Sequence, residues 1–326
     1  PRFIKRFGVS FPLVQKQIIL KVACMSSNNP GQLPATYIKS LLSAMCFALI
    51  ASTKGHAACV TPIEFPSDAI SSQSWHDVLT AKAGKSLNSV ISQVQDIDAT
   101  GTGDVNLDFY ALTFDSMGMS AEWWSGNFRA HLNQYVYGGT SYSVGPFDEK
   151  SKAVWESVSP VGAVLVFNLS ELFGIPFQQG GVVVSCTDST SFIFSTVSIQ
   201  GTLNPGDHPV SGNRGFGFYQ NSPASITFFT KGADRRKDDN WKFAAIGSQR
   251  IFALGAKVWT GLLDNLVSEM MMKGLNPRSR AAYRRQAIYP EADLTPPAAP
   301  VNVRIVYIRP DGSANGHAPS EASAIR

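Results

Sequence analysis

Between Gly162 and Lys231 short apolar runs alternate with turn residues. The runs are Gly162–Leu169, Gly181–Cys186, Ser191–Ile199, Gly215–Tyr219 and Ser225–Lys231. They mix period-two alternation, as in Phe192/Phe194, Phe216/Phe218 and Ile226/Phe228, with continuous apolar stretches such as Val182–Val184. Alternation joined by short connections predicts antiparallel strands with one face buried. Downstream, Leu254, Val258, Trp259, Leu262, Leu263, Leu266, Val267 and Met270 recur at helical spacing. They predict a helix over Gln249–Lys273, capped by Ser248 and stopped by Gly274.

Upstream the pattern is weaker. Val78, Leu79, Leu87, Val90, Ile91 and Val94 fall at helical intervals and predict a helix across residues 75–94. Phe109–Met119 reads as a strand and turn, Ser120–Val136 as a helix, and Phe147–Val158 as a short helix or turn. Gly232–Trp241 reads as a charged surface loop. Beyond Gly274, the basic run Lys273, Arg278, Arg280, Arg284 and Arg285 reads as a solvated tail. A Pro/Ala linker at Pro290–Pro300 and one further strand, Val301–Ile308, close the pattern.

The elements together predict an α+β fold: an antiparallel sheet packed against a long C-terminal helix, with an N-terminal helical segment. The chain divides into residues 1–57 (upstream segment and cleavable signal), 58–160 (helical or mixed), 161–275 (sheet and helix) and 276–326 (basic, Pro-rich and largely disordered). Over Gly162–Gly274 the order of elements resembles the helix-grip arrangement of START-like lipid-binding domains. That resemblance implies a curved sheet wrapped around a final helix and an apolar cavity between them. In such a cavity Phe192, Phe194, Phe216, Phe218 and Trp259 would line the site of a lipid or aromatic molecule.

Charge changes the picture at the N-terminal end. The chain of 326 residues has 28 basic and 24 acidic side chains, for a net +4. Residues 1–57 hold seven of the basic side chains and none of the acidic, so the remainder is net −3. A body of that charge gives no electrostatic reason to expect nucleic acid. The early basic stretch reads as an export signal starting at Met25: Lys39, an apolar segment Leu41–Ala51 too short to span a bilayer, then small residues for cleavage after Ala57 or Ala58. The expected mature protein has no transmembrane span and is secreted or periplasmic. It keeps two cysteines, Cys59 and Cys186, which in an oxidising compartment can pair. A buried Cys186 with an unpaired or lipidated Cys59 is the alternative.

Candidate chemistry is sparse, and no cofactor is implied. Asp96, Asp98, Thr100 and Asp104 match part of a calcium loop, but Leu107 stands where the bidentate Glu belongs. Nucleophile-elbow, zinc-helix and dinucleotide motifs are missing from the sequence. The densest polar group is Asp207, His208, Ser211, Asn213 and Arg214, held among Pro209 and Gly212. Here an imidazole could move a proton and a guanidinium fork could grip an anion. Three functional readings follow. The leading one is a binding module for an apolar or amphipathic small molecule. The second is an exported hydrolase or antibacterial effector using the Asp207–Arg214 loop. The third is an interaction protein that offers its C-terminal tail, Val301–Ile308, to a partner's sheet edge.

Overall fold

Along the chain run 3-10 turns at Ser72–Trp75 and Lys85–Leu87, α1 (His76–Thr80), β1 (Ile91–Val94), β2 (Gly101–Asp115), α2 (Ala121–Ala130), α3 (Leu132–Tyr137), β3 (Ser143–Pro146) and α4 (Glu149–Trp155). Then come β4 (Val164–Asn168), β5 (Gln179–Thr187), β6 (Ser191–Ile199), β7 (Val210–Ser222), β8 (Ser225–Lys237), α5 (Ser248–Met272), β9 (Pro277–Ala287), β10 (Arg304–Ile308) and β11 (Ala314–Asn315). The structure, a computed structural model, describes residues 58–63, 72–137, 143–168, 179–200, 207–237, 248–287, 304–308 and 314–315. The expected signal segment and the Pro290–Pro300 linker lie outside the described residues.

Among the described residues all strands join one antiparallel sheet of 11 strands in the order β11-β10-β9-β2-β8-β7-β6-β5-β4-β3, with β1 paired to β6. This corrects the α+β, helix-grip expectation: the fold is mostly antiparallel sheet, and α5 is not its closing element. After α5 the chain returns as β9 beside β2, in the interior of the sheet, and β10 pairs with β9. The basic run expected as a tail is therefore a strand. Its charges are answered locally, Arg278 by Asp115 at 2.5 Å, Arg280 by Asp264, and Arg284 by Asn106 at 3.0 Å. The intervening Ala281 and Tyr283 are buried. Residues 75–94, expected as one helix, form only the short α1, a 3-10 turn at Lys85–Leu87 and β1.

The expectation of one buried face is also corrected. Every residue of β6 is buried, because both faces of the central strands are covered. On one face Phe192, Phe194, Phe216, Phe218 and Phe228 join Trp124 and Phe128 of α2, Trp155 of α4, and Val258, Leu262 and Leu266 of α5. On the other, Phe109, Ile193 and Phe229 meet Val60, Ile63, Trp75 and Val78. The covering N-terminal segment is fastened at two points. Cys59 and Cys186 stand at disulfide distance, with Cα atoms 5.9 Å apart. Lys231, fully buried, reaches Asp77 at 2.8 Å and donates to the Thr61 and Ser74 carbonyls. Each large apolar side chain removed from water contributes about 1.5–3 kcal/mol, so the two layers account for the cohesion of the sheet. Among the described residues no helix is long and apolar enough to cross a membrane. That, together with the cysteine pair, is compatible with an extracellular or periplasmic protein.

Candidate functional site

The α5 face of the sheet is not uniformly apolar. Side chains alternate along a strand, so Asn106, Asp108 and Tyr110 of β2 share the face that continues into Leu112 and Phe114. The register sets three rows across the strands. Tyr110 aligns with Thr230 and then Phe216; Asp108 with Gly232 and then Arg214; Asn106 with Asp234 and then Gly212. The first row borders the phenylalanine core, and the next two form a polar floor at one end of it.

Gly232 makes the middle row work. Asp108 and Arg214 stand on strands either side of β8, and a side chain between them would block their contact. A Cβ at Gly232 would lie 2.6 Å from Arg214 Cζ and 3.0 Å from Asp108 Oδ1. With glycine there, Arg214 Nη2 reaches Asp108 Oδ1 at 2.5 Å across the strand, with the two side chains only 10% and 2% exposed. Arg214 also donates to Thr230 Oγ1 at 3.4 Å, and its guanidinium sits 4.1 Å from the ring centre of Trp259. The fork is thus held on three sides. Asn106 is the second organiser: it accepts from Arg284, donates to Asp108 at 3.3 Å, and hydrogen-bonds Asp234.

At Gly212 the ladder between β6 and β7 ends, the last pair being Ser195 and Asn213. Thr196 takes over with its hydroxyl, accepting from Gly212 N at 3.0 Å. Gly212 has φ +151, and a Cβ there would lie 2.7 Å from Asp234 Cα, so glycine is required by both conformation and space. The splayed strands leave a cavity of about 110 Å³ between the polar floor and α5. Asn106, Asp108, Arg214 and Asp234 form its charged end; Phe167, Val182, Phe194, Ile251, Phe252, Val258 and Trp259 form its apolar walls. His208, Pro209 and Val210 lie along one rim. Gln95, buried, holds that rim by accepting from His208 N at 2.7 Å and donating to the His208 and Val210 carbonyls at 2.8 and 3.2 Å.

The electrostatics follow from burial. Desolvation, reinforced by neighbouring Asp108, pushes Asp234 up to about 7, against the pull of Arg214. Burial pushes His208 down to about 4, so it is neutral at physiological pH. Tyr110 is raised by burial and then by Asp108, and its buried hydroxyl has no hydrogen-bond partner.

The residues singled out from sequence separate onto two faces. His208 and Arg214 line the cavity. Ser211 is turned to the opposite side, its hydroxyl bonded to Thr100 at 2.8 Å. Asn213 borders the cavity through its position in β7, while its amide is bound to the Val78 and Ala81 carbonyls at 2.8 and 3.0 Å. Asp207 accepts from Ser198. A hydroxyl nucleophile beside an imidazole is therefore not assembled from this loop. Of the aromatic candidates, Phe194 and Trp259 line the cavity. Phe192, Phe216 and Phe218 are interlocked with Phe128 at ring-centre distances of 6.4, 5.9 and 5.7 Å. Asp96 caps a turn, accepting from Asp98 N at 2.8 Å, and Thr100 donates back to it. No metal-holding group of three His, Cys, Asp or Glu side chains occurs among the described residues.

Asp108, Asp234, Asn106 and Gln95 went unnoticed in the sequence. For Asn106 and Asp108 the available signal is Asn106/Asp108/Tyr110, a polar alternation within a strand that otherwise reads as buried; Asp234 and Gln95 carry none. No protein-family model matches the chain, and no curated protein does. Among solved structures, protein Ms6760 of Mycobacterium smegmatis aligns at 10% identity and a TM-score of 0.30, over 54% of this chain and 93% of that one. A likeness of that size carries no argument.

Proposed function

We propose that this protein is an exported binding module for a small amphipathic molecule, held in the cavity between the sheet and α5. One observation carries the reading: an apolar cavity with a charged end whose groups are fixed by the register of three strands. Binding sites combine apolar walls with a few placed polar groups in this way. The size argues for a compact ligand. A dry protein cavity near 150 Å³ accepts benzene, so a space of about 110 Å³ suits one ring or the end of a short chain. Arg214 and Asp108 neutralise each other, and their mutual hold keeps the floor in place before a ligand arrives. That preorganisation lowers the ordering cost of binding.

Gly255 supplies the test. It lines the cavity, and a Cβ added there would meet nothing within 4 Å. Gly255→Leu therefore extends a side chain into the cavity from a position with room for its Cβ, and leucine suits a helix better than glycine. Calorimetric titration with benzyl alcohol, a neutral one-ring probe, should give binding to the parent and none to Gly255→Leu. Equal binding by both, or none by the parent, overturns the reading. N-terminal sequencing of protein from fractionated cells tests export; a chain still carrying Met25–Ala57 in the cytosol contradicts it.

A further inference from the structure

The charges around Asp234 are unequally committed. From β2 it faces Asp108, Asn106 and the phenol of Tyr110, and from β7 it faces Arg214. From β9 it faces Arg284, while His208 stands on the same cavity rim. Arg236, two residues further along β8, has a buried Nε without a partner. The α5 residues on the cavity, Ile251, Phe252, Gly255, Val258 and Trp259, bring no charge. Arg214 is bound to Asp108 and stacked on Trp259, and Arg284 gives its Nε to Asn106. The closest approach of Arg214 to Asp234 is 3.9 Å, beyond hydrogen-bond reach.

We propose that the cavity selects small organic cations, seating a protonated primary amine on Asp234 while the hydrocarbon lies against Phe194, Phe252 and Trp259. This rests on the reading of the cavity as a small-molecule site and names the class it takes. The reasoning is one of unused hydrogen-bond capacity. Asp108 takes the short contact with Arg214, which approaches Asp234 only to 3.9 Å, so Asp234, hydrogen-bonded to Asn106, keeps spare acceptor capacity on the apolar space. An anionic ligand would meet two carboxylates, and Arg214 could serve it only by abandoning Asp108 and Trp259. A neutral alcohol could donate one hydrogen bond but would leave the carboxylate charge answered only by arginines beyond hydrogen-bond reach. An ammonium supplies both the donors and the charge. Burial and Asp108 hold Asp234 near 7, so a cation also favours the ionised form and binding should displace a proton below that pH.

The test compares benzylammonium, benzyl alcohol and benzoate, three probes of one shape and different charge, by calorimetry. At pH 8 benzylammonium is expected to bind at least tenfold tighter than benzyl alcohol, with benzoate undetected. Between pH 6.5 and pH 5.5 its affinity for the native protein should fall by up to tenfold, with proton release seen in buffers of different ionisation heat. In Asp234→Asn, which keeps the shape and the neighbouring amide contact, the advantage of cation over alcohol should vanish and the pH dependence should flatten. The pH arm needs no variant, so it stands even if the substitution disturbs folding. If benzyl alcohol binds as tightly as benzylammonium, or Asp234→Asn keeps the preference, the cation assignment is overturned while the cavity reading survives. If none of the probes binds the native protein, both fall together.

Discussion

Gly232→Ala is the smallest change that should break the site. The added methyl carbon would lie 2.6 Å from Arg214 Cζ and 3.0 Å from Asp108 Oδ1, well inside contact distance. Backbone on β8 is held by both neighbours, β2 and β7, so the guanidinium must move instead. Asp108, with a side chain 2% exposed, then loses its ion pair without gaining water. Removing one partner of a buried pair costs about 3–5 kcal/mol. The low end applies, because Asn106 still donates to Asp108 and Arg284 occupies the facing position on β9. A loss of about 3 kcal/mol in a domain of this size corresponds to roughly 6–12 °C in Tm. Urea unfolding followed by circular dichroism would read it. Gly261→Ala is the control: it lies in α5, and its Cβ would meet nothing within 4 Å, so it should stabilise by up to about 1 kcal/mol. A Gly232→Ala loss under about 1 kcal/mol would refute the spanning-pair argument.

Asp234 and His208 should show opposite pH behaviour. Asp234 titrates near 7 folded against 3.8 unfolded, so its burial costs stability as pH rises from about 4 to 7. His208 titrates near 4 folded against 6.5 unfolded, so its contribution is lost as pH falls from 6.5 to 4. The two slopes, each at most ~1.4 kcal/mol per pH unit, nearly cancel in the native protein. Asp234→Asn should expose a stability that rises with pH over this window and His208→Gln one that falls; parallel curves for all three proteins contradict the assignment. Gln95→Ala removes three hydrogen bonds to the His208–Val210 rim and should cost about 2–3 kcal/mol, weakening benzyl alcohol binding as well. An unchanged affinity would mean that the rim does not shape the cavity. Reducing Cys59–Cys186, which closes a sequence separation of 127, should lower stability by about 4 kcal/mol; a melt unchanged by dithiothreitol would contradict that fastening role.

The strands of the central block were legible because their alternation is local. β6 coincides with the apolar run Ser191–Ile199. What the sequence hid was pairing partners. β8 runs through Arg235 and Arg236 to Lys237, where charge suggested a loop, because Arg235 bonds the carbonyls of Ile97 and of Gly103 in β2, far earlier in the chain. β9 was masked for the same reason, its arginines being answered by Asp115, Asp264 and Asn106. Both faces of β6 are buried because Val60, Ile63 and Trp75 pack on the second one, a long-range fact that no period can reveal. Within the site, Arg214 and His208 drew attention by type and Trp259 by its place in an apolar stripe. Asp108 and Asp234 did not, since 106 and 20 residues separate them from Arg214 along the chain and only the register of β2, β8 and β7 brings them together.

The central claim, a ligand cavity with Asp234 as its polar anchor, is open to direct sight. Crystals soaked with 4-bromobenzylamine would show the bromine by its anomalous scattering. The account predicts a bromine peak among Phe194, Phe252 and Trp259, with the ammonium within hydrogen-bond distance of Asp234. A cavity without bromine, with the peak elsewhere on the surface, would contradict it.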